Sequence, residues 1–93
     1  MYNVAFVPKH ALTFETIMPC LNQFMRCLHA TQAAELVVDL SHITLCDSAG
    51  LALLIEAKRM CRQQNKVLVI QGVPSAIKAL AKFCGVDTLL TEP

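Results

Sequence analysis

The residues with the clearest chemical potential in this 93-residue chain lie together in the segment Cys46-Asp47-Ser48-Ala49-Gly50-Leu51. A hydroxyl residue follows an acid and precedes two small residues, at a point where a loop is predicted to become a helix. The first N–H groups of a helix lack internal partners and carry partial positive charge. Ser48 could therefore cap the helix, accept a phosphate group, or present its hydroxyl to a partner protein. The residues alone leave these three interpretations open.

Catalytic chemistry is poorly represented in the sequence. Asp39 and Asp47 flank a predicted loop, Ser41 to Cys46, and two carboxylates at a strand end could hold Mg²⁺. Asp47 fits better as the cap of the following helix. Ser48 lacks the preceding glycine of a nucleophile elbow, and the three glycines of the chain match no phosphate-binding loop. We therefore expect no catalytic residue, no cofactor and no enzymatic activity.

Cysteine and histidine spacing predicts neither a metal site nor a disulfide framework. The cysteines are odd in number, form no CxxC pair, and are read as small buried apolar residues of a reducing compartment. A zinc site would need clustered ligands, which the histidines do not supply. The residues concerned are Cys20, Cys27, Cys46, Cys61 and Cys84, with His10, His29 and His42.

Composition narrows the possible partners. A net charge of +1 and an aromatic share of 5% argue against nucleic-acid binding. The longest apolar run, Ala49 to Ile55, is far too short to cross a membrane, and the N-terminus lacks the features of a signal peptide. We expect a cytoplasmic protein without direct membrane insertion. Because 55% of residues are hydrophobic and only 16% charged, a stable protein partner is also expected.

Hydrophobic periodicity supplies the elements that must position the Ser48 segment. It predicts strands at Asn3 to Val7, Leu36 to Leu40 and Lys66 to Gln71, with further extended residues at His10 to Thr13. Apolar residues at helical spacing predict the buried face of a first helix, which either bends at Pro19 or begins there after a lead-in turn. That face comprises Phe14, Ile17, Met18, Leu21, Phe24, Met25 and Leu28.

Two further helices follow the later strands. The core face of the second, within Ser48 to Gln64, is assigned to Gly50, Leu53, Leu54, Ala57, Met60, Cys61 and Gln64. The third begins at Pro74, ends at Gly85, and buries Ile77, Leu80, Ala81 and Cys84, whereas Val86 to Leu90 adds a short strand or a tail. Alternating strands and helices imply parallel pairing. We therefore predict a single α/β domain over residues 1–93, with a small mixed, mostly parallel sheet flanked by three to four helices.

The segment Val37 to Leu40, together with Cys46 to Leu54, resembles the signature of STAS domains, the sulphate-transporter and anti-sigma-factor-antagonist family. The resemblance implies the same small sheet flanked by helices. The antagonist branch of that family carries a phosphorylatable serine in an Asp-Ser-(Ser/Ala)-Gly-Leu turn, matched here by Asp47 to Leu51. The chain departs from the family at its start, since few residues precede the first helix and the first family strand could be shortened or missing.

Two further segments, Ala11 to Ile17 and Gln71 to Val86, are similar to the small STAS subunit of Mla-type phospholipid ABC transporters. This resemblance implies a non-catalytic partner of the cytoplasmic ATPase subunit, held at the periphery of the inner membrane. The small Ala49 and Gly50 would let that partner approach closely, and Leu51 and Ile55, on a flank away from the core, would contact it. The expected partner-binding residues are Asp47, Ser48, Ala49, Gly50, Leu51, Ile55 and Lys58, with Arg62 at the rim. The alternative is an anti-sigma-factor antagonist whose Ser48 is phosphorylated by a partner kinase.

Overall fold

The computed structural model describes residues 4–90, except for the side chains at positions 4, 5 and 89. Two short strands open this part of the chain, and three helices follow with three further strands between them. The elements in chain order are strand β1 (Val4–Phe6), strand β2 (His10–Leu12), helix α1 (Ile17–Ala30), strand β3 (Glu35–Asp39), strand β4 (Ile43–Cys46), helix α2 (Ser48–Gln63), strand β5 (Val67–Gln71), helix α3 (Ser75–Phe83) and a final 3-10 turn (Asp87–Leu90).

The strands form two small sheets, one of three strands in the order β1-β3-β5 and one of two strands, β2-β4. Every pairing within residues 4–90 is parallel. The central strand β3 is buried at Leu36, Val37 and Val38, as its continuous apolar run predicts. The predicted α/β class with mostly parallel pairing is thus confirmed.

The resemblance left open whether the first strand of the family fold is present in this chain. Both β1 and β2 precede α1, and each is only three residues long. The strand predicted at Asn3 to Val7 is confirmed at Val4–Phe6, while Asn3 lies outside the described residues. Among the described residues, a strand thus precedes both β2 and α1.

Strand β4 was not expected, because Ser41 to Cys46 was predicted to be a loop. Residues Ile43–Cys46 pair with β2, and Ile43 is buried while Thr44 and Leu45 are both exposed. Two successive exposed residues break the alternation that identifies a half-buried strand. The partner strand lies about thirty residues away in the sequence, so no local pattern reveals the pairing.

Helix α1 begins at Ile17, later than the apolar periodicity indicates. Phe24 and Leu28 lie in the core as predicted, but Phe14 and Met18 are 79% and 60% exposed. Phe14 belongs to the turn before the helix. Pro19 lies in the first turn of α1, where a backbone N–H would have no helical acceptor, so the helix accommodates it without a break.

The buried faces of α2 and α3 differ from their predictions at the ends. Gln64 is exposed because it lies just past the end of α2, and Cys84 is exposed because α3 ends at Phe83. The predicted core residues Ile77 and Ala81 are buried. The residues after Gly85 form a 3-10 turn rather than a strand or a tail. Within residues 4–90, no helix has the length and apolar character needed to cross a bilayer.

Candidate docking site at the Ser48 turn

Asp47 caps helix α2, as its position predicts. Its Oδ1 accepts hydrogen bonds from the N–H groups of Ala49 and Gly50, at 2.9 and 3.2 Å. Ser48 is the first residue of the helix, and its side chain is exposed. Because Asp47 satisfies the helix terminus, the Ser48 hydroxyl is not needed as the cap and faces solvent.

The second carboxylate oxygen of Asp47 joins this turn to the turn before α1. Oδ2 accepts the N–H of Phe14 at 3.1 Å, across 33 residues of sequence. These hydrogen bonds hold the pKa of Asp47 below its usual range. The bond from the Phe14 N–H has the largest effect, and those from Gly50 and Ala49 add to it. A carboxylate that accepts several N–H groups is stabilised in its charged form. A fixed negative charge therefore lies beside the Ser48 hydroxyl.

Gly50 packs against Leu12 and Cys46 of this same chain. A Cβ at this position would lie 2.3 Å from the Leu12 carbonyl oxygen and 2.8 Å from the Cys46 Sγ. The Asp47 N–H also bonds that carbonyl, at 3.1 Å. The start of α2 therefore packs so closely on strand β2 that only glycine fits at this position. A contribution of Gly50 to a partner contact stays a prediction.

Two other residues expected to contact a partner are also buried. Leu51 is 4% exposed and Lys58 is 9% exposed, although Leu51 was placed on a flank away from the core. The two positions are seven residues apart and so lie on one side of α2, which means that the helix buries a wider arc than its predicted core face. Of the predicted set, Ser48 and Ile55 are exposed, whereas Asp47 and Ala49 are half-buried.

The site gains residues that the sequence prediction assigned to the core. Phe14 is joined to the Ser48 turn through Asp47, and Met18 follows it by one helical turn on α1. Both side chains are exposed, as is Ala52, one turn beyond Ser48 on α2. Pro19 was the available signal, because a proline favours the first turn of a helix and would have placed Phe14 before that turn.

Several hydrogen bonds hold the turn that carries Phe14. The Thr13 N–H donates to Thr16 Oγ1 at 3.0 Å, and that hydroxyl donates to the Ala11 carbonyl at 2.9 Å. The Thr16 N–H in turn donates to the Thr13 carbonyl at 2.9 Å. With the bond from Phe14 to Asp47, these contacts fix the backbone beneath an exposed aromatic ring.

The carboxylates suggested for Mg²⁺ both accept backbone N–H groups. Asp39 Oδ1 accepts the Ser41 N–H at 2.9 Å, a bond that lowers the pKa of Asp39, while both oxygens of Asp47 accept N–H groups. In the described part of the chain, no three His, Cys, Asp or Glu side chains are grouped so as to hold a metal ion. Burial, and then the charge of Asp47, raise the pKa of the Cys46 thiol to about 11. This thiol therefore stays protonated at neutral pH.

Solved structures share this architecture. The anti-sigma factor antagonist SpoIIAA in its unphosphorylated form gives a TM-score of 0.72 at 10% identity, over 96% of this chain and 80% of that one. A sulfate transporter family protein from Wolinella succinogenes gives 0.71 at 14% identity, over 94% and 70%. The SulP transporter STAS domain from Vibrio cholerae gives 0.65 at 18% identity, over 97% and 71%.

At these identities the likeness shows the fold alone. The comparison with curated proteins found no match. The family model described as "Mlab, STAS domain" matches residues 11–91, so the chain belongs to that family.

Proposed function

We propose that the chain is a non-catalytic STAS subunit that binds the cytoplasmic ATPase subunit of an Mla-type ABC transporter. In this role it stabilises or regulates a complex that traffics phospholipid and maintains the lipid asymmetry of the outer membrane. It resides in the cytoplasm and reaches the inner membrane only through its partner. The description of the matched family and its extent, residues 11–91, support this branch over other STAS domains.

The observation that carries the proposal is the exposed group of side chains around the Ser48 turn. The Ser48 hydroxyl lies on the same face of α2 as Ile55, two turns later, and beside the turn that carries Phe14. Ile55 and Phe14 are 40% and 79% exposed. Exposed apolar side chains on a rigid backbone lose little conformational entropy on binding, and aromatic anchors dominate the energy of many protein interfaces. This surface therefore suits a lasting protein contact.

Substitution of Ser48 by arginine tests the docking assignment. Ser48→Arg places a long cation at the centre of this surface without disturbing the cap, which Asp47 supplies. Ser75→Arg is the matched control, because Ser75 is also an exposed first residue of a helix and suffers the same unfavourable interaction with a helix N-terminus. When the chain is co-expressed with the ATPase subunit, Ser48→Arg should abolish co-purification and Ser75→Arg should retain it.

Folding of each variant is checked by circular dichroism and by thermal unfolding. A folded Ser48→Arg chain that still co-purifies with the ATPase subunit contradicts the assignment. Loss of binding by both variants would mean that the effect is not specific to the Ser48 turn, and would contradict it equally.

A second candidate function is that of an anti-sigma-factor antagonist switched by phosphorylation of Ser48. The exposed hydroxyl beside the ionised Asp47 favours it, because a phosphate with a charge of about −1.5 to −2 would repel that carboxylate and change the surface. Incubation with the partner kinase and ATP should then yield a phosphorylated chain, detected by mass spectrometry. Ser48→Ala should prevent the modification and Ser75→Ala should not.

A further inference from the structure

The outward faces of α1 and α2 change character along their length. Near the Ser48 turn they expose apolar and hydroxyl groups, but towards their C-terminal ends they expose cations. The arginines of the chain are Arg26, Arg59 and Arg62, and all of them lie there, exposed. These three arginines are called the cationic end below.

The two helices bring these residues to one level. Strands β2 and β4 are parallel neighbours, α1 and α2 follow them and pack together, and the bond from Phe14 to Asp47 joins their starts. Arg26 follows Phe14 by twelve residues, and Arg59 follows Asp47 by twelve. At 1.5 Å per helical residue, both arginines lie about 15–18 Å from that junction. The cationic end therefore lies at the corresponding ends of two neighbouring helices.

Little negative charge on the helices balances this surface. Within Ile17–Ala30 and Ser48–Gln63 the only acid is Glu56, whose Oε1 accepts a hydrogen bond from the Arg59 Nε at 2.9 Å. Among the described residues, no ion pair is recorded for Arg26 or Arg62. Two guanidinium groups are thus left to solvent in a chain with few charges.

We propose that the cationic end binds a carboxylate-rich segment of the same partner protein that docks on the Ser48 turn. This inference rests on the proposed function. The planar guanidinium group is suited to bidentate bonds with carboxylates, and the surface continues directly from the apolar docking face. The near-neutral charge of the chain and its few aromatic residues disfavour a nucleic acid as the occupant.

A purely structural role for these residues makes a different prediction. Cations near a helix C-terminus stabilise the helix through its dipole. In that case, removal of Arg26 and Arg62 would lower thermal stability without changing the binding of any acidic ligand. The test must therefore measure binding and stability separately.

The probe is a ten-residue oligoglutamate peptide, titrated into the ¹⁵N-labelled chain and followed by NMR. The peptide should shift amide signals near the cationic end, and the double variant Arg26→Gln/Arg62→Gln should weaken binding about three- to tenfold, because each exposed ion pair contributes modestly. The double variant Lys78→Gln/Lys82→Gln is the matched control. It removes the same charge from exposed positions on α3 and should bind like the parent chain. Equal binding by both double variants, or no shifts in the parent, overturns the proposal.

Other occupants are outcomes of the same titration. A single-stranded oligonucleotide, or phosphatidylglycerol vesicles, that shifted these amides at lower concentration than oligoglutamate would overturn the carboxylate assignment. In a separate arm, the arginine double variant should bind the ATPase subunit more weakly than the parent, and its binding should depend less on salt. Unchanged ATPase binding overturns the proposal, whereas failure of the parent chain to bind the ATPase subunit refutes the proposed function itself.

Discussion

Two strand-to-helix turns in this domain begin a helix with an exposed serine. Ser48 opens α2 after Asp47, whose carboxylate accepts two N–H groups of that helix. Ser75 opens α3 after Pro74, which gives no side-chain cap. The residue type and its position in the helix are therefore the same in both turns, but the surroundings are not.

The comparison teaches that the serine is not itself the distinguishing feature of the Ser48 turn. Asp47 ties that turn to Phe14, and Gly50 presses it onto the Leu12 carbonyl. At the start of α3, the next residue, Ala76, is small and exposed, and Lys78 adds a cation. Only the first turn combines a free hydroxyl with exposed apolar side chains on a fixed backbone. The contacts that hold that turn can therefore be changed separately from the side chains that it exposes.

The largest expected effect concerns the side of the Ser48 turn that packs against strand β2. Gly50→Ala should lower the free energy of unfolding by about 2 kcal/mol, because the clash of a Cβ with the Leu12 carbonyl costs more than the roughly 1 kcal/mol that alanine gains in a helix. Chemical denaturation measures this change.

Gly85→Ala is the comparison variant for that measurement. A Cβ at Gly85 meets nothing within 4 Å, so its cost arises only from the positive φ of +74° and should be about 1 kcal/mol. If Gly50→Ala is as stable as the parent, α2 does not press on β2 as closely as this account requires.

The next effect concerns the exposed side chains around the Ser48 turn. Phe14→Ala should weaken binding of the ATPase subunit about tenfold, which is typical of an aromatic anchor, and should leave thermal stability unchanged because the ring is exposed. Phe83→Ala removes an even more exposed ring from the end of α3 and should have no effect on binding. Surface plasmon resonance with the purified subunit measures both, and equal losses would place the anchor elsewhere.

The same two turns show what sequence patterns can and cannot predict. Strands β3 and β5 are continuous apolar runs, and Asp47 occupies a standard capping position. Local sequence was therefore sufficient to predict both strands and the cap. Leu51 was misplaced because periodicity defines the centre of a buried helix face but not its width. The width depends on what packs beside the helix, which only the tertiary structure shows.

Phe14 was misplaced for a related reason. Its spacing matches that of the α1 core residues, but the helix begins three residues later, and its backbone is held by Asp47, which is distant in sequence. Strand β4 escaped prediction because its pairing with β2 is likewise non-local. Sequence patterns therefore identified Asp47 as the cap of α2, but not the side chains that surround the Ser48 turn.

The smallest effect concerns the link between the two sides of the turn. Asn is as good a helix cap as Asp, so the remaining side-chain oxygen of Asp47→Asn should still cap α2. The NH2 group that replaces Oδ2 is a donor and cannot accept the Phe14 N–H, so the bond to Phe14 should be lost. Amide hydrogen exchange at Phe14 should accelerate in this variant. Asp39→Asn, which alters the carboxylate bonded to Ser41, should leave Phe14 exchange unchanged.

The pH dependence of stability gives this prediction a second readout. Because the pKa of Asp47 is lowered in the folded chain, its charge stabilises the fold above the pKa of an unfolded aspartate, about 3.9, and this stabilisation is lost as the pH falls through the folded pKa. The parent chain should therefore exceed Asp47→Asn in stability at neutral pH, and the difference should shrink below about pH 4. A difference that stays constant down to pH 2 would mean that the carboxylate charge is not what joins the Phe14 turn to the Ser48 turn.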